Sequence, residues 1–456
     1  MLIDCEGVGS RVEYLTFHMI SNLTLRELNF TASLSSPGSG CGLELENIVN
    51  LSVSHVSVRT PMDTAFRLKN IWGISTIEHI KANGTIYSST AVSLEYNDNE
   101  PSPYFCNALI LICSLFESIF AYDQSQILME INISQSTYSV DVALQNILTS
   151  GTNVGTLLRI NLDSETSSTV RVTNSSVEFQ GTGIKVVEHP RINGHSRLHV
   201  YLTSCLIYGS FNEGLYLQTT TTQIVIENCT ISHEDAEADE SATQRSMGLS
   251  IIGLEDTSQR VNIIISNISF VHNSISTFLQ APHPPVVYLE RVRNVTFIDC
   301  NFHSNLGSAI KAYDSKFLLS GNVSFINNSA YEGGALNFIG ESYAFISSNA
   351  NIVFQNNSAE HVGGAIFVNN IGPAKSCFFQ IEATAIISPS YCFPLVSRSC
   401  IPSVIVNITF INNTGWKGGD TIYGAFLDNC NMLVCFSAWL ECYQVKCFTT
   451  RVSLQP

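Results

Sequence analysis

Hydrophobic and polar residues alternate over short stretches along most of the chain. Examples are N-V-T-F from Asn294, N-V-S-F from Asn322, N-I-V-F from Asn351 and N-I-T-F from Asn407. A period of two, with β-branched and aromatic residues closed by Asn, Gly, Ser or Thr, is typical of short β-strands. No window of about 12 or more residues combines a helical period with helix caps. The pattern therefore predicts a nearly all-β protein.

An apolar residue that closes a strand marks each repeat of this pattern. The markers are Leu115, Leu148, Val177, Ile207, Ile231, Phe270, Phe302, Phe325, Phe354 and Phe410. Most intervals between them are roughly 23 to 33 residues, the length of one unit in many repeat proteins. The last interval is about twice as long as the one before it and is interpreted as two coils.

Short strands at this spacing, without intervening helices, predict a single right-handed parallel β-helix over residues 1–425. A leucine-rich repeat is the alternative, suggested by L-T-L-R-E-L-N-F from Leu23. The leucine consensus of such repeats does not persist along the chain, which favours the β-helix.

Two segments near the N-terminus predict the register between neighbouring coils. The segments G-L-E-L-E-N-I and F-R-L-K-N-I align so that Leu45 falls over Leu68. If these leucines point inward, Glu44 lies over Arg67 and Glu46 lies over Lys69 on the outer face. We therefore expect two cross-strand pairs of opposite charge.

A longer motif with an aromatic residue, two asparagines and a glycine pair occurs three times. The copies are F-I-N-N-S-A-Y-E-G-G-A-L-N-F, F-Q-N-N-S-A-E-H-V-G-G-A-I-F and F-I-N-N-T-G-W-K-G-G-D-T-I-Y. No Lys-Ser/Thr and no helix follows the glycines, which argues against a phosphate-binding loop. We predict that the aromatic residue fills the core, the asparagines bond between coils and the glycines permit turns or close approach. The predicted structural residues are Phe325, Asn328, Gly333, Gly334, Ala335, Phe354, Asn357, Gly363, Gly364, Ala365, Phe410, Asn413, Gly418 and Gly419.

This motif resembles the repeat of the chlamydial polymorphic membrane proteins, Phe-x-x-Asn followed by Gly-Gly-Ala-Ile/Leu. The first two copies match the whole pattern, whereas in the third Asp420 and Thr421 replace the Ala-Ile end. A degenerate copy begins at Phe302, and the resemblance covers about residues 294–424. It implies a pectin-lyase-like β-helix displayed at a cell surface, with adhesion as the usual role in the bacterial members.

The layout also resembles large extracellular repeat proteins of simple animals such as sponges and cnidarians. In those proteins a Tyr-Gly-x-x-x-Asp-x-Cys segment follows the motifs, as Y-G-A-F-L-D-N-C does here from Tyr423. Where the bacterial members carry an autotransporter barrel, this chain has a cysteine-rich segment, residues 426–456. This departure favours a eukaryotic secreted protein.

Composition and charge exclude several partners. Hydrophobic residues make up 45% of the chain and charged residues 13%, which predicts an extensive core. The excess of 38 Asp+Glu over 22 Lys+Arg gives a net charge of −16, which repels nucleic acid. The most apolar window, A-L-I-L-I-C-S-L-F-E-S-I-F, contains Glu117 and is too short to cross a bilayer. We expect no nucleic-acid partner and no membrane span in this chain.

The 14 cysteines, none in a C-x-x-C pair, are typical of an oxidising compartment. Cys113, Cys205, Cys229 and Cys300 each precede a marker by two positions, so alternation places them in the core. Cys205 and Cys229 are one coil apart, which makes a disulfide between them feasible. The other disulfide candidates lie in a long insertion and in a predicted C-terminal cap: Cys377, Cys392, Cys400, Cys430, Cys435, Cys442 and Cys447.

Asn-x-Ser/Thr sequons also favour an extracellular or cell-surface location. The candidate N-glycosylation sites are Asn22, Asn29, Asn50, Asn83, Asn132, Asn174, Asn228, Asn267, Asn294, Asn322, Asn327, Asn356, Asn407 and Asn412. A repeat rich in Asn, Ser and Thr also produces sequons by composition alone. The N-terminal M-L-I-D-C-E-G-V-G-S does not have the pattern of a signal peptide, so we expect an upstream segment to be missing.

The sequence predicts no catalytic, cofactor or metal site. A glycosidase needs a pair of carboxylates across the scissile bond, and a lyase needs clustered acids for calcium with a nearby base. No such constellation recurs from coil to coil. The acidic run H-E-D-A-E-A-D-E, residues 233–240, is interpreted as a solvated loop rather than a cation site. His195 and His361 are interpreted as surface turn residues.

The predicted function is a non-catalytic extracellular scaffold for adhesion or recognition. Its partner would be a protein or glycan ligand at a cell surface. The alternative is a secreted carbohydrate-active enzyme, a polysaccharide lyase or glycoside hydrolase, on the same fold. A groove that gathers two or more carboxylates with a Lys or Arg would favour this alternative.

Overall fold

The computed structural model confirms the predicted fold class, because the residues that it describes form parallel β-strands and no helix. Alternation of Val, Ile, Leu and Phe with polar residues produces strands with one face buried. The described residues are 2–4, 15–26, 28–31, 41–59, 64–86, 90–96, 107–112, 115–121, 127–134, 140–150, 156–163, 167–179, 182–188, 198–209, 213–219, 223–232, 247–253, 262–273, 283–347, 350–369, 379–381 and 407–425.

The chain divides into two compact units, residues 1–230 and 231–456. The strands of the first unit are β1 (Leu2–Asp4), β2 (Leu15–His18), β3 (Thr24–Arg26), β4 (Asn29–Thr31), β5 (Cys41–Val49), β6 (Ser52–Ser54), β7 (Ser57–Arg59), β8 (Thr64–Glu78), β9 (Lys81–Ile86), β10 (Thr90–Tyr96), β11 (Asn107–Ile112), β12 (Leu115–Ala121), β13 (Ile127–Ser134), β14 (Val140–Gln145), β15 (Leu148–Ser150), β16 (Thr156–Asp163), β17 (Ser168–Thr173), β18 (Ser176–Phe179), β19 (Thr182–Glu188), β20 (Leu198–Thr203), β21 (Leu206–Gly209), β22 (Glu213–Thr219) and β23 (Gln223–Glu227). Strand β24 (Thr230–Ser232) lies at the boundary.

Three parallel sheets build the first unit. Sheet B contains β2, β5, β8, β10, β13, β16, β19 and β22. Sheet A contains β1, β3, β6, β8, β11, β14, β17, β20 and β23. Sheet C contains β4, β7, β9, β12, β15, β18 and β21. Each coil therefore runs from sheet B to sheet A to sheet C, and the 15-residue strand β8 bends from one sheet into the next.

The second unit repeats this order and adds a fourth strip. Its strands are β25 (Met247–Gly253), β26 (Asn262–Ser266), β27 (Ser269–Val271), β28 (Val287–Glu290), β29 (Val295–Ile298), β30 (Asn301–His303), β31 (Ile310–Tyr313), β32 (Lys316–Ser320), β33 (Asn322–Ile326), β34 (Ser329–Glu332), β35 (Leu336–Ile339), β36 (Tyr343–Ile346), β37 (Asn351–Gln355), β38 (Ser358–Val362), β39 (Ile366–Asn369), β40 (Phe379–Ile381), β41 (Asn407–Ile411), β42 (Thr414–Gly415) and β43 (Ile422–Ala425). In this unit sheet B contains β25, β28, β31, β35, β39 and β43. Strip D contains β34, β38 and β42 and precedes sheet B in the chain.

The core of each unit is made of columns of like residues. In sheet B of the first unit an inward column passes through Leu45, Leu68, Leu94, Ile131, Ile160, Val186 and Leu217, all buried. Stacking in register gives each side chain the same neighbour above and below, so every added coil buries one more set of apolar side chains.

Corners between the sheets are made by single residues with positive φ. Asn50 (54°) turns from sheet B to sheet A, and Asn174 (49°) and Asn228 (54°) turn from sheet A to sheet C. Asparagine tolerates the left-handed region better than most residues, which explains why it recurs at strand ends. One such residue interrupts the alternation of inward and outward side chains and turns the chain into the next sheet without a loop.

The predicted register between β5 and β8 is confirmed. Glu44 lies opposite Arg67, and Glu46 lies opposite Lys69. The ion pairs differ in part from the prediction: Glu44 is 3.7 Å from Arg67 and 3.4 Å from Lys69, whereas Glu46 lies 3.5 Å from His18 on the preceding coil. Lys69 reaches diagonally because long side chains span to the next position on the sheet.

Two parts of the marker series were wrong. Leu148 pairs with Ser176 rather than with Val177 and is 48% exposed, whereas its neighbour Thr149 is buried. The apolar pair Ile147-Leu148 leaves the phase of alternation ambiguous, and a buried threonine takes the core position. The long last interval is one coil and not two, because Phe354 pairs directly with Phe410.

Candidate functional site

The second asparagine of each motif copy is buried and joins a ladder between coils. This asparagine ladder comprises Asn273, Asn305, Asn328, Asn357 and Asn413. The Asn357 Nδ2 donates to the Phe325 carbonyl at 2.9 Å and to Asn413 Oδ1 at 3.0 Å. Its Oδ1 accepts from the backbone N–H and the Nδ2 of Asn328, at 3.1 and 3.0 Å. Because the amide uses both ends, its burial leaves no polar atom unsatisfied.

The motif phenylalanines form a second column beside the ladder. The phenylalanine stack comprises Phe270, Phe302, Phe325, Phe354 and Phe410, with centroids 4.7 to 5.0 Å apart and nearly parallel planes. Rings at this distance fill the core continuously from one coil to the next. Phe270, Phe302, Phe325 and Phe354 are fully buried and serve packing, whereas Phe410 is half-buried.

The two glycines of the motif have different roles. Gly363 has φ of 70°, in the region that favours glycine. A Cβ on Gly364 would lie 2.1 Å from the Asp420 carbonyl oxygen and 2.5 Å from that of Thr414, both on the next coil. In the first two copies the first glycine therefore permits the turn from strip D to sheet B, and the second permits close stacking of coils. In the third copy Gly419, with φ of 59°, takes the turn position.

The first asparagine of each motif copy lies on the surface and is the one in the sequon. Asn327, Asn356 and Asn412 have φ of 55°, 53° and 50° at the corner from sheet C to strip D. Ten sequon asparagines are exposed: Asn22, Asn50, Asn174, Asn228, Asn267, Asn294, Asn322, Asn327, Asn356 and Asn412. Asn132 is half-buried and accepts from Asn161 Nδ2 at 2.6 Å. The side chains of Asn29, Asn83 and Asn407 lie outside the described part.

The outer face of sheet B in the second unit groups aromatic and charged side chains. We call it the aromatic-polar face and define it by Tyr288, Glu290, Lys311, Tyr313 and Asn337. Tyr288 lies beside Lys311, Lys311 beside Asn337, and Glu290 beside Tyr313. The Tyr288 hydroxyl donates to Glu290 at 3.1 Å, and burial raises the pKa of Tyr288 to about 12. Tyr313 is 41% exposed and presents its ring to solvent.

Strip D brings a second carboxylate to this face. Burial lowers the pKa of Lys311, and the nearby charge of Glu332 opposes that shift. Glu332 lies 3.4 Å from His361 Nδ1, and the His361 ring stacks on Tyr331 with centroids 5.3 Å apart. The interpretation of His361 as a turn residue was therefore wrong, because it lies in β38 and pairs across coils.

One buried acceptor on this face has no partner among the described residues. Asn337 is 6% exposed, and its Nδ2 donates to the Glu332 carbonyl at 3.2 Å. Its Oδ1 is buried without a hydrogen bond within the described part of the chain. A buried acceptor without a donor destabilises the fold, which makes Asn337 the strongest pointer to a ligand group here.

Sheet B of the first unit carries charged pairs on its outer face. Arg159 lies 3.9 Å from Glu130, and Asn161 Nδ2 donates to the same carboxylate at 3.1 Å. Farther along, burial raises the pKa of Glu213 to about 7, and the charge of Lys185 opposes this shift. Lys185 Nζ lies 5.1 Å from the centroid of the Tyr216 ring. A carboxyl that titrates near neutrality beside a lysine is a potential proton donor.

Cys205, Cys229 and Cys300 are buried, as alternation predicts. Cys205 and Cys229 are free in the structure, so the predicted disulfide is not formed there. Each Sγ donates to carbonyls, Cys205 to that of Thr203 at 3.4 Å and Cys229 to that of Glu227 at 3.2 Å. The hydrogen bond with Cys205 and burial both raise the pKa of Cys229 above its usual range. Cys300 is likewise free.

Several predicted features fall outside the described residues. They are the acidic run 233–240, His195, Cys113 and the disulfide candidates Cys377, Cys392, Cys400, Cys430, Cys435, Cys442 and Cys447. Within the described part, no group of three or more His, Cys, Asp or Glu side chains has the arrangement of a metal site. The same part includes no helix that is long and apolar enough to span a membrane.

The strands of the described residues define an all-β solenoid of parallel sheets, and one segment of it matches a known repeat. Residues 351–369, which span β37 to β39, match the Chlamydia polymorphic membrane protein (Chlamydia_PMP) repeat. No curated protein and no solved structure matches the chain. The match is shorter than the stretch of resemblance in the sequence, and this repeat suggests a surface or adhesin-like protein.

The sequence contained a signal for the aromatic-polar face that motif comparison missed. Lys311, Glu332 and His361 are far apart in the chain, yet the coil repeat brings them to one edge of sheet B. Aligning successive copies by their glycine pair would have placed these residues in neighbouring coils. Residues adjacent in the sequence do not show that these side chains lie together, because their contacts are between coils.

Proposed function

We propose that this chain is an extracellular recognition scaffold that mediates adhesion through the outer face of its β-helix. The observation that supports this most directly is that some residues of the motif pack the coil while others lie on its surface. The second asparagine, the phenylalanine and both glycines pack the coil, so what varies between coils is displayed outward. A scaffold of this kind presents side chains at fixed spacing to a ligand.

The sequon asparagines support an extracellular location. Ten of them are exposed, and the corner from sheet C to strip D presents Asn327, Asn356 and Asn412 on successive coils. We infer that glycans on these corners cover the edges of the scaffold and leave sheet B free to bind a protein or glycan at a cell surface.

Adhesion is tested with the full chain, secreted from a eukaryotic host and coupled to fluorescent beads. We expect these beads to bind cultured cells and to do so less after an excess of soluble chain is added. Beads coated with albumin provide the background. Binding no greater than that background would contradict the proposal.

A secreted carbohydrate-active enzyme is the second candidate, and Glu213 favours it. Burial raises the pKa of Glu213 to about 7, which suits the acid that protonates a glycosidic oxygen; a glycosidase also needs a second carboxylate across the bond. Incubation with pectin, alginate and glycosaminoglycans should then release reducing or unsaturated ends, and Glu213→Gln should abolish that release. If the parent chain releases such ends and Glu213→Gln does not, the enzyme proposal replaces the adhesion proposal. If the folded parent chain releases none, the enzyme proposal is rejected.

A further inference from the structure

The aromatic-polar face has the chemistry of a sugar-binding surface. We propose that it binds a neutral oligosaccharide, an inference that rests on the proposed recognition function and names its ligand class. The ligand would lie along sheet B across β28, β31 and β35, with Tyr313 at its centre. Three properties of the face support this: its charge balance, its buried acceptor and its repeat distance.

Charges on and beside the face are balanced. Arg291 donates to Glu290 at 2.9 Å, and Lys311 lies near the charge of Glu332. An anionic polysaccharide would have to displace these carboxylates, and a cationic ligand would have to displace the bases. A neutral ligand with many hydroxyl groups can accept from Lys311 and donate to either carboxylate without breaking a pair.

The buried acceptor requires a donor from outside the described residues. Asn337 Oδ1 has no partner there, and its register position lies one coil from Lys311. A sugar hydroxyl reaches Asn337 Oδ1 only when the side chains that cover it move; it then donates to this oxygen and accepts from the Lys311 ammonium group. Satisfying a buried atom in this way gives orientation as well as affinity.

The spacing of the face fits a chain of sugar units. Successive coils in this unit are separated by the distance seen in the phenylalanine stack, 4.7 to 5.0 Å. This distance is close to the length of one hexose unit in an extended glycan. Consecutive sugars would therefore meet equivalent positions on consecutive strands, with the C–H face of one sugar on the Tyr313 ring.

Glycosylation leaves this face uncovered. The strands of sheet B in this unit, β25, β28, β31, β35, β39 and β43, contain no sequon, although sheet C and the corners between the sheets do. An attached glycan would compete for the same surface. The arrangement of sequons therefore keeps the proposed site open.

Binding is measured by biolayer interferometry with the secreted full chain against neutral oligosaccharides of glucose, galactose, mannose and N-acetylglucosamine. We expect at least one series to bind. Tyr313→Ala should weaken that binding about tenfold, and Asn337→Leu should weaken it comparably. Tyr343→Ala is the matched control, since Tyr343 lies on sheet A of the same unit, and its affinity should stay within about twofold of the parent.

The outcomes separate this inference from the proposed function. Binding to heparin or alginate alone, or neutral binding that Tyr313→Ala leaves unchanged, would overturn the inference. Failure of every neutral series would also overturn it, while cell adhesion by the same preparation would leave the proposed function intact. Circular dichroism of each variant confirms that lost binding does not reflect unfolding.

Discussion

Replacing Asn357 by leucine tests the asparagine ladder directly. The side chain is fully buried, and its amide takes part in four hydrogen bonds with Phe325, Asn328 and Asn413. Leucine has a similar shape but no polar atom. The substitution therefore leaves the Phe325 carbonyl and both the backbone and side-chain donors of Asn328 without their partner.

The magnitude follows from these three groups. A buried donor or acceptor without a partner costs about 1–3 kcal/mol, so three of them cost about 3–9 kcal/mol. Burying the leucine side chain returns about 2 kcal/mol. We expect a net loss of about 1–7 kcal/mol in the free energy of unfolding, which is to be compared with the roughly 5–15 kcal/mol typical of a domain.

Urea unfolding followed by far-ultraviolet circular dichroism measures this loss, and hydrogen exchange locates it. Asn356→Gly is the matched control: Asn356 is exposed with φ of 53°, which glycine also adopts. Both variants are produced without glycosylation, since Asn356 lies in a sequon. We expect the control within about 0.5 kcal/mol of the parent and faster exchange around residues 322–328 only in Asn357→Leu.

The reasoning would be refuted if Asn357→Leu unfolded at the same urea concentration as the parent. That result would mean that the ladder satisfies its own polar groups without adding stability, and that the coils are held by apolar packing alone. Exchange that increased equally along the whole unit would instead contradict the local character of the effect.

Three other perturbations have expected outcomes. Gly364→Ala should lower the thermal midpoint by several degrees, because its Cβ would meet the Asp420 carbonyl at 2.1 Å; Gly248→Ala, whose nearest contact is a ring atom at 3.2 Å, should lower it less. Equal midpoints would contradict the close-stacking role. Cys300, whose pKa burial raises to about 12, should resist iodoacetamide in the native protein and react in urea, as peptide mass spectrometry would show; rapid native labelling would contradict its burial. Glu213 has a folded-state pKa raised to about 7, so its stabilising effect is present below its unfolded value and lost as pH rises through 7. Glu213→Gln should match the parent at pH 5 and be more stable at pH 8 by on the order of 2–3 kcal/mol; a parallel pH dependence of both proteins would contradict the raised pKa.

Fold and coil register could be predicted from the sequence because alternation and repeat length are local properties. The register of β5 on β8 followed from aligning two short segments. The predicted inward position of Leu148 was wrong, because Ile147 and Leu148 are adjacent apolar residues and alternation allows only one of them to point inward. The predicted number of coils was wrong for the interval before Phe410. The length of an interval does not distinguish two coils from one coil with an insertion.

The candidate site was not predictable in the same way. The aromatic-polar face includes Lys311 and Asn337 on neighbouring coils, with Glu332 of strip D beside them, and none of the three belongs to a recognised chemical motif. The free state of Cys205 and Cys229 was likewise not decided by their separation. Their Sγ atoms find carbonyl partners, and spacing alone does not show which partner a thiol takes.

The stacking of Phe410 on Phe354 has a consequence for how such a chain can change. These rings lie 4.7 Å apart, and those of Phe325 and Phe354 lie 4.9 Å apart, although the first pair is joined by a much longer stretch of chain. Contacts between coils depend on matching positions in the strands and not on the length of chain between them. Segments between strands can therefore lengthen or shorten greatly without disturbing the neighbouring coils, which makes this architecture a frame on which surface loops can diversify independently of stability.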